Sequence, residues 1–174
     1  MLQAFYDYIF HFFNAIDYWA VFAMMLIEAS VIPFPSEIPM LAVGIQSANG
    51  TMNPVIGFLI ALLGVSIGTT LNYLIGYYLG DTFMEKYGKY FGIKKSAYHR
   101  AQELFQKDAQ FYTFFGRLVP VVRQLISIPA GMAHMPYLRF LWLSLAGSSI
   151  WLAILITLGY VIGDNQTLIK QYIF

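Results

Sequence analysis

Arg117 and Arg123 stand six residues apart in an otherwise apolar run, Phe115-Gly116-Arg117-Leu118-Val119-Pro120-Val121-Val122-Arg123-Gln124-Leu125-Ile126-Ser127-Ile128-Pro129-Ala130-Gly131. An arginine at membrane depth costs roughly 2.5–3.5 kcal/mol on insertion scales, so it survives there by facing protein, water or an anionic ligand. Pro120 lacks an amide donor and clashes with the preceding turn, which denies the run a continuous helix. Broken backbone at that depth is tolerated only where protein covers it or a watery cavity meets it. The run therefore reads as a re-entrant, cation-bearing hairpin. The plainer alternative is two arginines that snorkel at an interface. Two planar guanidinium forks can hold a phosphate bidentately. Two carboxylates of the N-terminal half, Glu28 and Glu37, are the complementary candidates. If they approach the arginines they can titrate, because desolvation and the arginine charges pull their proton affinity in opposite directions. Phosphate and proton would then share one site. The bland counterpart is a pair of structural ion pairs that neutralise each other in the membrane.

Composition agrees with a membrane setting. The chain of 174 residues is 59% hydrophobic and 11% charged, with mean hydropathy +0.61, whereas soluble domains carry about 25% charged residues. The chain reads as an integral membrane protein. It has no cysteine, which excludes disulfides, thiolate metal sites and cysteine nucleophiles. The first sixteen residues hold no Lys or Arg, so no cleaved secretory leader is expected. Their aromatic content suits a helix over residues 1–16 lying at headgroup level.

The elements that must position the four charges follow in order. From Asp17, an expected N-cap, an apolar helix runs to about Val31 with Glu28 as its one charge. Pro33-Phe34-Pro35-Ser36-Glu37-Ile38-Pro39 breaks it. A short apolar run follows and ends at the turn signal Ser47-Ala48-Asn49-Gly50. Neither arm has the roughly 20 residues needed to span, so 17–49 reads as a first re-entrant hairpin. Pro54 opens a transmembrane helix over 54–80, roughly 40 Å at 1.5 Å per residue. Gly64, Gly68, Gly76 and Gly80 form small-residue faces along it for close helix contact. Residues 81–110 hold Lys86, Lys89, Lys94, Lys95, Arg100 and Lys107, six of the ten basic residues. The positive-inside rule makes that segment a cytoplasmic loop, within which Ser96 to Gln110 can form a surface helix. Residues 111–134 are the arginine hairpin, 137–163 a second transmembrane helix, and 164–174 a tail. All belong to one membrane domain.

Sliding the chain by 83 residues lines up the spans. Gly64-Val65-Ser66-Ile67 meets Gly147-Ser148-Ser149-Ile150, Gly76-Tyr77 meets Gly159-Tyr160, and Gly80-Asp81 meets Gly163-Asp164. The same shift puts Met52 on Met135 and lays the Pro33–Pro39 break on Gly116–Val122. The expected fold is all-α and polytopic, two inverted repeats, each a broken-helix hairpin followed by a span. Discontinuous helices meeting near the midplane are a recurrent transporter design.

Asn72, Tyr73 and Gln124 are path-lining candidates, with interhelical hydrogen bonding the competing use of the first two. His134, just past the arginine hairpin, reads as an interfacial histidine. No His-Glu metal spacing, Gly-rich phosphate loop or nucleophile elbow is present, so no cofactor, metal or enzymatic activity is expected.

On these residues the chain resembles the DedA family of membrane proteins, also described as the SNARE-associated or VTT-domain group. The matching pieces are Glu28 with Pro33-Phe34-Pro35-Ser36-Glu37, then Gly64, Gly68, Tyr73, Gly76 and Gly80. Phe115 to Arg123 follow, continuing to Ala130-Gly131, Met135 and Phe140, and lastly Trp151 with Gly159-Tyr160 and Gly163. The resemblance implies a bacterial inner-membrane transporter or scramblase of lipids, linked to undecaprenyl phosphate or phospholipids and to the proton motive force. It maps the family's critical charges onto Glu28, Glu37, Arg117 and Arg123. Thr69 stands where an acidic residue is frequent, and Ser36 replaces a frequent glycine. The resulting expectation is a proton-coupled lipid-phosphate translocase, with Arg117 and Arg123 binding phosphate and Glu28 and Glu37 titrating. Its partners would be membrane lipids and protons, without nucleic acid, and with a homodimer admitted. An energy-independent scramblase, a small-ion or drug antiporter and a non-transporting assembly factor stand as alternatives.

Overall fold

Helix ends decide where the charged residues finish. The computed structural model describes residues 12–30, 37–87, 95–119 and 122–165. Its helices are α1 (Tyr18–Glu28), α2 (Glu37–Ala48), α3 (Pro54–Tyr87), α4 (Lys95–Gly116), α5 (Val122–Leu125), α6 (Ser127–Met132) and α7 (Tyr137–Asp164). The aromatic stretch through His11, Pro33-Phe34-Pro35-Ser36 of the break, Pro120, and the tail beyond Asn165 lie outside the described residues.

Asp17 caps α1 as its sequence position suggests, its Oδ1 accepting the Ala20 amide at 2.8 Å. The helix stops at Glu28, three residues short of the expected Val31, so the carboxylate sits on the last turn. Pro39 and Pro129 are each the third residue of a short arm, α2 and α6. First-turn amides have no intrahelical partner, so a proline there costs no hydrogen bond. At the end of α2, Gly50 takes a left-handed turn at φ +72°, a conformation glycine adopts without strain. His134 takes the same region at φ +51° after α6.

The basic segment 81–110, expected mainly as a loop, is helical at both ends. α3 continues to Tyr87, and α4 starts at Lys95 and runs past Gln110 to Gly116. α4 breaks at Asp108 (φ −154°, ψ 79°), whose Oδ1 accepts the Phe111 amide at 3.0 Å and so caps a fresh helical piece. The helical piece that leads to Arg117 therefore begins at Asp108.

Pro54–Leu79 and Tyr137–Asp164 are long and apolar enough to cross a bilayer. Their outward faces carry Leu59, Leu63, Ile67, Leu71 and Leu74 on α3, and Ile150, Ile154, Leu158 and Val161 on α7. The buried residues include Thr69, Asn72, Ser127, Ser144, Glu28, Arg117 and Arg123. Apolar outside and polar within suits a hydrocarbon solvent, where inward-facing polar groups find partners in protein.

The short arms pack across the chain. α2 lies chiefly on α7 and α6 on α3, while α1 packs on α3 and α4 on α7. Glycines set these distances. A methyl group at Gly159 would come within 2.5 Å of the Leu41 carbonyl oxygen, and one at Gly44 would strike the Ile156 carbonyl. Across the other crossing, Gly76 abuts the Ile128 carbonyl and Gly131 that of Tyr73. Backbones thus touch at both crossings, which only small residues permit.

Candidate functional site

The end of α1 meets the start of α5. Glu28, only 4% exposed, forms a salt bridge through Oε1 with Nη2 of Arg123, 8% exposed. A carboxylate on a helix's last turn lies against the negative end of the helix dipole, so Glu28 needs the cation more than most buried acids do. The Arg123 guanidinium carbon also lies 5.5 Å from the centre of the Trp151 ring, within cation–π range. Asn72 fixes this corner. Its Nδ2 donates to the carbonyl of Ala29 at 3.0 Å, satisfying one of the orphan acceptors at the end of α1.

Arg117, 3% exposed, is held differently. Nη1 donates to the Arg123 carbonyl at 2.8 Å, and Nη2 to Ser127 Oγ at 2.6 Å and Ser144 Oγ at 3.2 Å. Its stem rests on α7 at Gly147, where a methyl group would come within 2.7 Å of the arginine Cβ. Glu28, Arg117, Arg123 and Ser148 line a cavity closed further by Met25, Val65 and Leu152, with room for about one water molecule. A phosphate group does not fit until this space widens.

The structure joins Glu28 with Arg123 and places Arg117 directly behind. Glu37 stays at one remove. It begins α2 half-buried, where a helix N-terminus favours an anion. Among the described residues no ion pair ties it to either arginine. Tyr73 is buried, with its hydroxyl donating to the Met135 carbonyl and its ring stacked on Phe140 at 4.7 Å. It fastens the end of the second hairpin to α3. The side chain of Gln124 lies outside the described residues. His134 is exposed, its ring edge-on to Tyr77 at 4.6 Å.

Ser127, Ser144 and Ser148 were not singled out from sequence. Ser144, Gly147 and Ser148 occupy i, i+3 and i+4 positions, a small polar stripe on a membrane helix. That stripe could have pointed to Ser144 and Ser148, whereas Ser127 carries no such signal.

The VTT domain model matches residues 34–161. Undecaprenyl phosphate transporter A of Bacillus subtilis (strain 168) is 37% identical over 131 residues, covering 75% of this chain and 66% of the relative. A Staphylococcus aureus (strain NCTC 8325 / PS 47) protein of the same name is 33% identical over 159 residues, covering 88% of this chain and 78% of the relative. An alkaline phosphatase-like protein of Lactococcus lactis subsp. lactis (strain IL1403) is 33% identical over 162 residues, 90% of this chain and 75% of the relative. No solved structure shows a significant match.

Proposed function

The chain belongs to the VTT-domain family, the DedA membrane proteins, and we propose that it carries a lipid phosphate across the cytoplasmic membrane, with the Glu28–Arg123 pair as the point of exchange. The observation that carries this reading is a buried ion pair on a cavity whose other polar walls are Arg117 and Ser148. The names of the Bacillus and Staphylococcus relatives support undecaprenyl phosphate as the first lipid to test.

Charge conservation supplies the mechanism. A lipid phosphate replaces the Glu28 carboxylate on Arg123 and leaves Glu28 without its cation in a buried site. Such an acid relieves the cost by binding a proton, so phosphate and proton enter together. Release on the other side returns the proton and restores the pair. Glu37, at the start of α2, is the second carboxylate assigned to proton handling. The tail stays in the bilayer, so the protein handles the headgroup alone.

Crosswise packing supports two inverted repeats. Each short arm lies on the other half's span, and each half ends its hairpin with a positive-φ residue before a long helix. The hairpins would enter from opposite faces, with the basic segment 81–110 on the cytoplasmic side, and motion of one half against the other would open the cavity to each leaflet in turn.

Labelled undecaprenyl phosphate in proteoliposomes tests the reading, with and without an imposed proton gradient, for the wild type, Arg123→Ala and Arg123→Lys. Flux that needs Arg123 and responds to the gradient supports it. Arginine-dependent flux indifferent to the gradient identifies a scramblase, and cation flux independent of both arginines an antiporter. Absence of flux of this lipid overturns the substrate assignment.

A further inference from the structure

The two arginines are bound in unlike ways, and we infer that Arg117 is a positioning residue that sets α5, the short helix carrying Arg123, with Ser127 and Ser144 as the acceptors that hold it in register. The inference takes its ligand from the lipid-phosphate reading and its geometry from hydrogen bonds alone.

Arg123 has a carboxylate partner, which a phosphate can replace charge for charge. Arg117 donates instead to three neutral acceptors, and these belong to three places in the chain. The Arg123 carbonyl lies in α5, Ser127 opens α6, and Ser144 lies on α7. Because α5 ends at Leu125, the Arg123 carbonyl is among the last four acceptors of a helix, the ones a helix leaves unsatisfied. Arg117 fills it from the other side of the Pro120 break. This ties Arg117 to α5 across a proline that rules out one continuous helix.

Arg117 faces the small cavity beside Arg123 on one side, where its Nε has no hydrogen-bond partner, and is packed on the others. Its stem is wedged on Gly147, and its guanidinium carbon lies 6.0 Å from the Phe140 ring centre. A phosphate taking both donors of Nη2 would have to displace Ser127 and Ser144. At Arg123 a phosphate takes the place of the Glu28 carboxylate, like charge for like. Arg117 therefore acts on the ligand through the placement of Arg123.

The opposite assignment makes the opposite prediction when Arg117 is released. The test uses Ser127→Ala/Ser144→Ala, small changes that leave both arginines in place. Trp19 and Trp142, 79% and 74% exposed, are replaced by phenylalanine, so that Trp151 beside Arg123 is the sole remaining tryptophan. Farnesyl phosphate is titrated in detergent by Trp151 fluorescence. If Arg117 positions Arg123, the double serine variant raises Kd about tenfold. If Arg117 is a phosphate ligand, freeing its donors leaves Kd unchanged or lowers it, which overturns the inference.

A second measurement needs no ligand. Glu28→Gln lowers the melting temperature by breaking the pair with Arg123. In the double serine background that drop should shrink by half or more, because Arg123 no longer sits in register with Glu28. An undiminished drop overturns the inference. If the wild type binds no farnesyl phosphate, the lipid-phosphate reading fails and this thermal cycle alone decides the role of Arg117.

Discussion

Removing the charge of Glu28 while keeping its shape is the sharpest perturbation of the site. Glu28→Gln leaves Arg123 buried against an amide, and breaking one partner of a buried pair costs about 3–5 kcal/mol. Two features of the structure reduce that figure. Glu28 sits at the negative end of α1, so neutralising it recovers about 0.3–1 kcal/mol. The Trp151 ring also remains over Arg123. A net loss of about 2–4 kcal/mol follows, and at roughly 2–4 °C per kcal/mol for a chain of this size the melting temperature falls by about 4–16 °C. Arg123→Gln should cost less, because Glu28 can take up a proton whereas arginine cannot lose one. In that variant the folded state binds a proton that the unfolded chain releases at neutral pH, so its deficit narrows as pH falls. The Glu28→Gln deficit shows no such recovery. The double variant carries neither charge and should return to within about 1.5 kcal/mol of wild type, while transport stays absent. Thermal unfolding in detergent, followed by circular dichroism at two pH values, measures all four proteins. Additive losses in the double variant would refute the pairing.

Two further outcomes follow from the packing. At Gly159 a methyl group meets backbone atoms only, Leu41 O at 2.5 Å, Leu41 Cα at 2.9 Å and Gly44 Cα at 3.1 Å. Gly159→Ala should therefore cost about 1–3 kcal/mol in thermal stability as α2 and α7 part, whereas Gly50→Ala, with nothing within 4 Å, should lose only the roughly 1–2 kcal/mol of left-handed strain. Asp108→Ala removes the bond to the Phe111 amide and should lower stability by about 1 kcal/mol, read as a small drop in melting temperature with helical dichroism retained.

Local chemistry made much of this legible in sequence. Asp17, Pro54 and the Asn49-Gly50 turn mark boundaries through capping and backbone preference, and the structure uses each as such. Charge in an apolar run marked Glu28 and Arg123 before any geometry was known. What stayed hidden depends on contacts between distant segments. One shift of 83 residues aligns the spans, but the hairpin landmarks pair at wider separations, Asp17 with Asp108 and Pro39 with Pro129. The arms differ in length, α2 having 12 residues and α6 six, so a rigid shift cannot serve both. The cap at Asp108 lay inside a segment whose charge suggested a loop, because basic residues report solvent rather than backbone conformation. The serines behind Arg117 went unread because a hydroxyl in an apolar run does not name its donor, which the fold brings from a distant segment.

The crosswise arrangement of the short arms bears on how the protein is made. α2 leaves the ribosome with its first proline-broken arm complete, but the helix it rests on, α7, is still more than a hundred residues from being synthesised. At about 5–20 residues per second that interval is roughly 5–25 s. During it the face of α2 that carries Gly44 has no backbone to lie against, and Glu28 has no arginine. The N-terminal half thus waits as an open clasp, and α7 closes it. Translation that stalls before α7 would leave a fragment with an unfilled seat for that helix, and a C-terminal half supplied separately carries the piece that fits there.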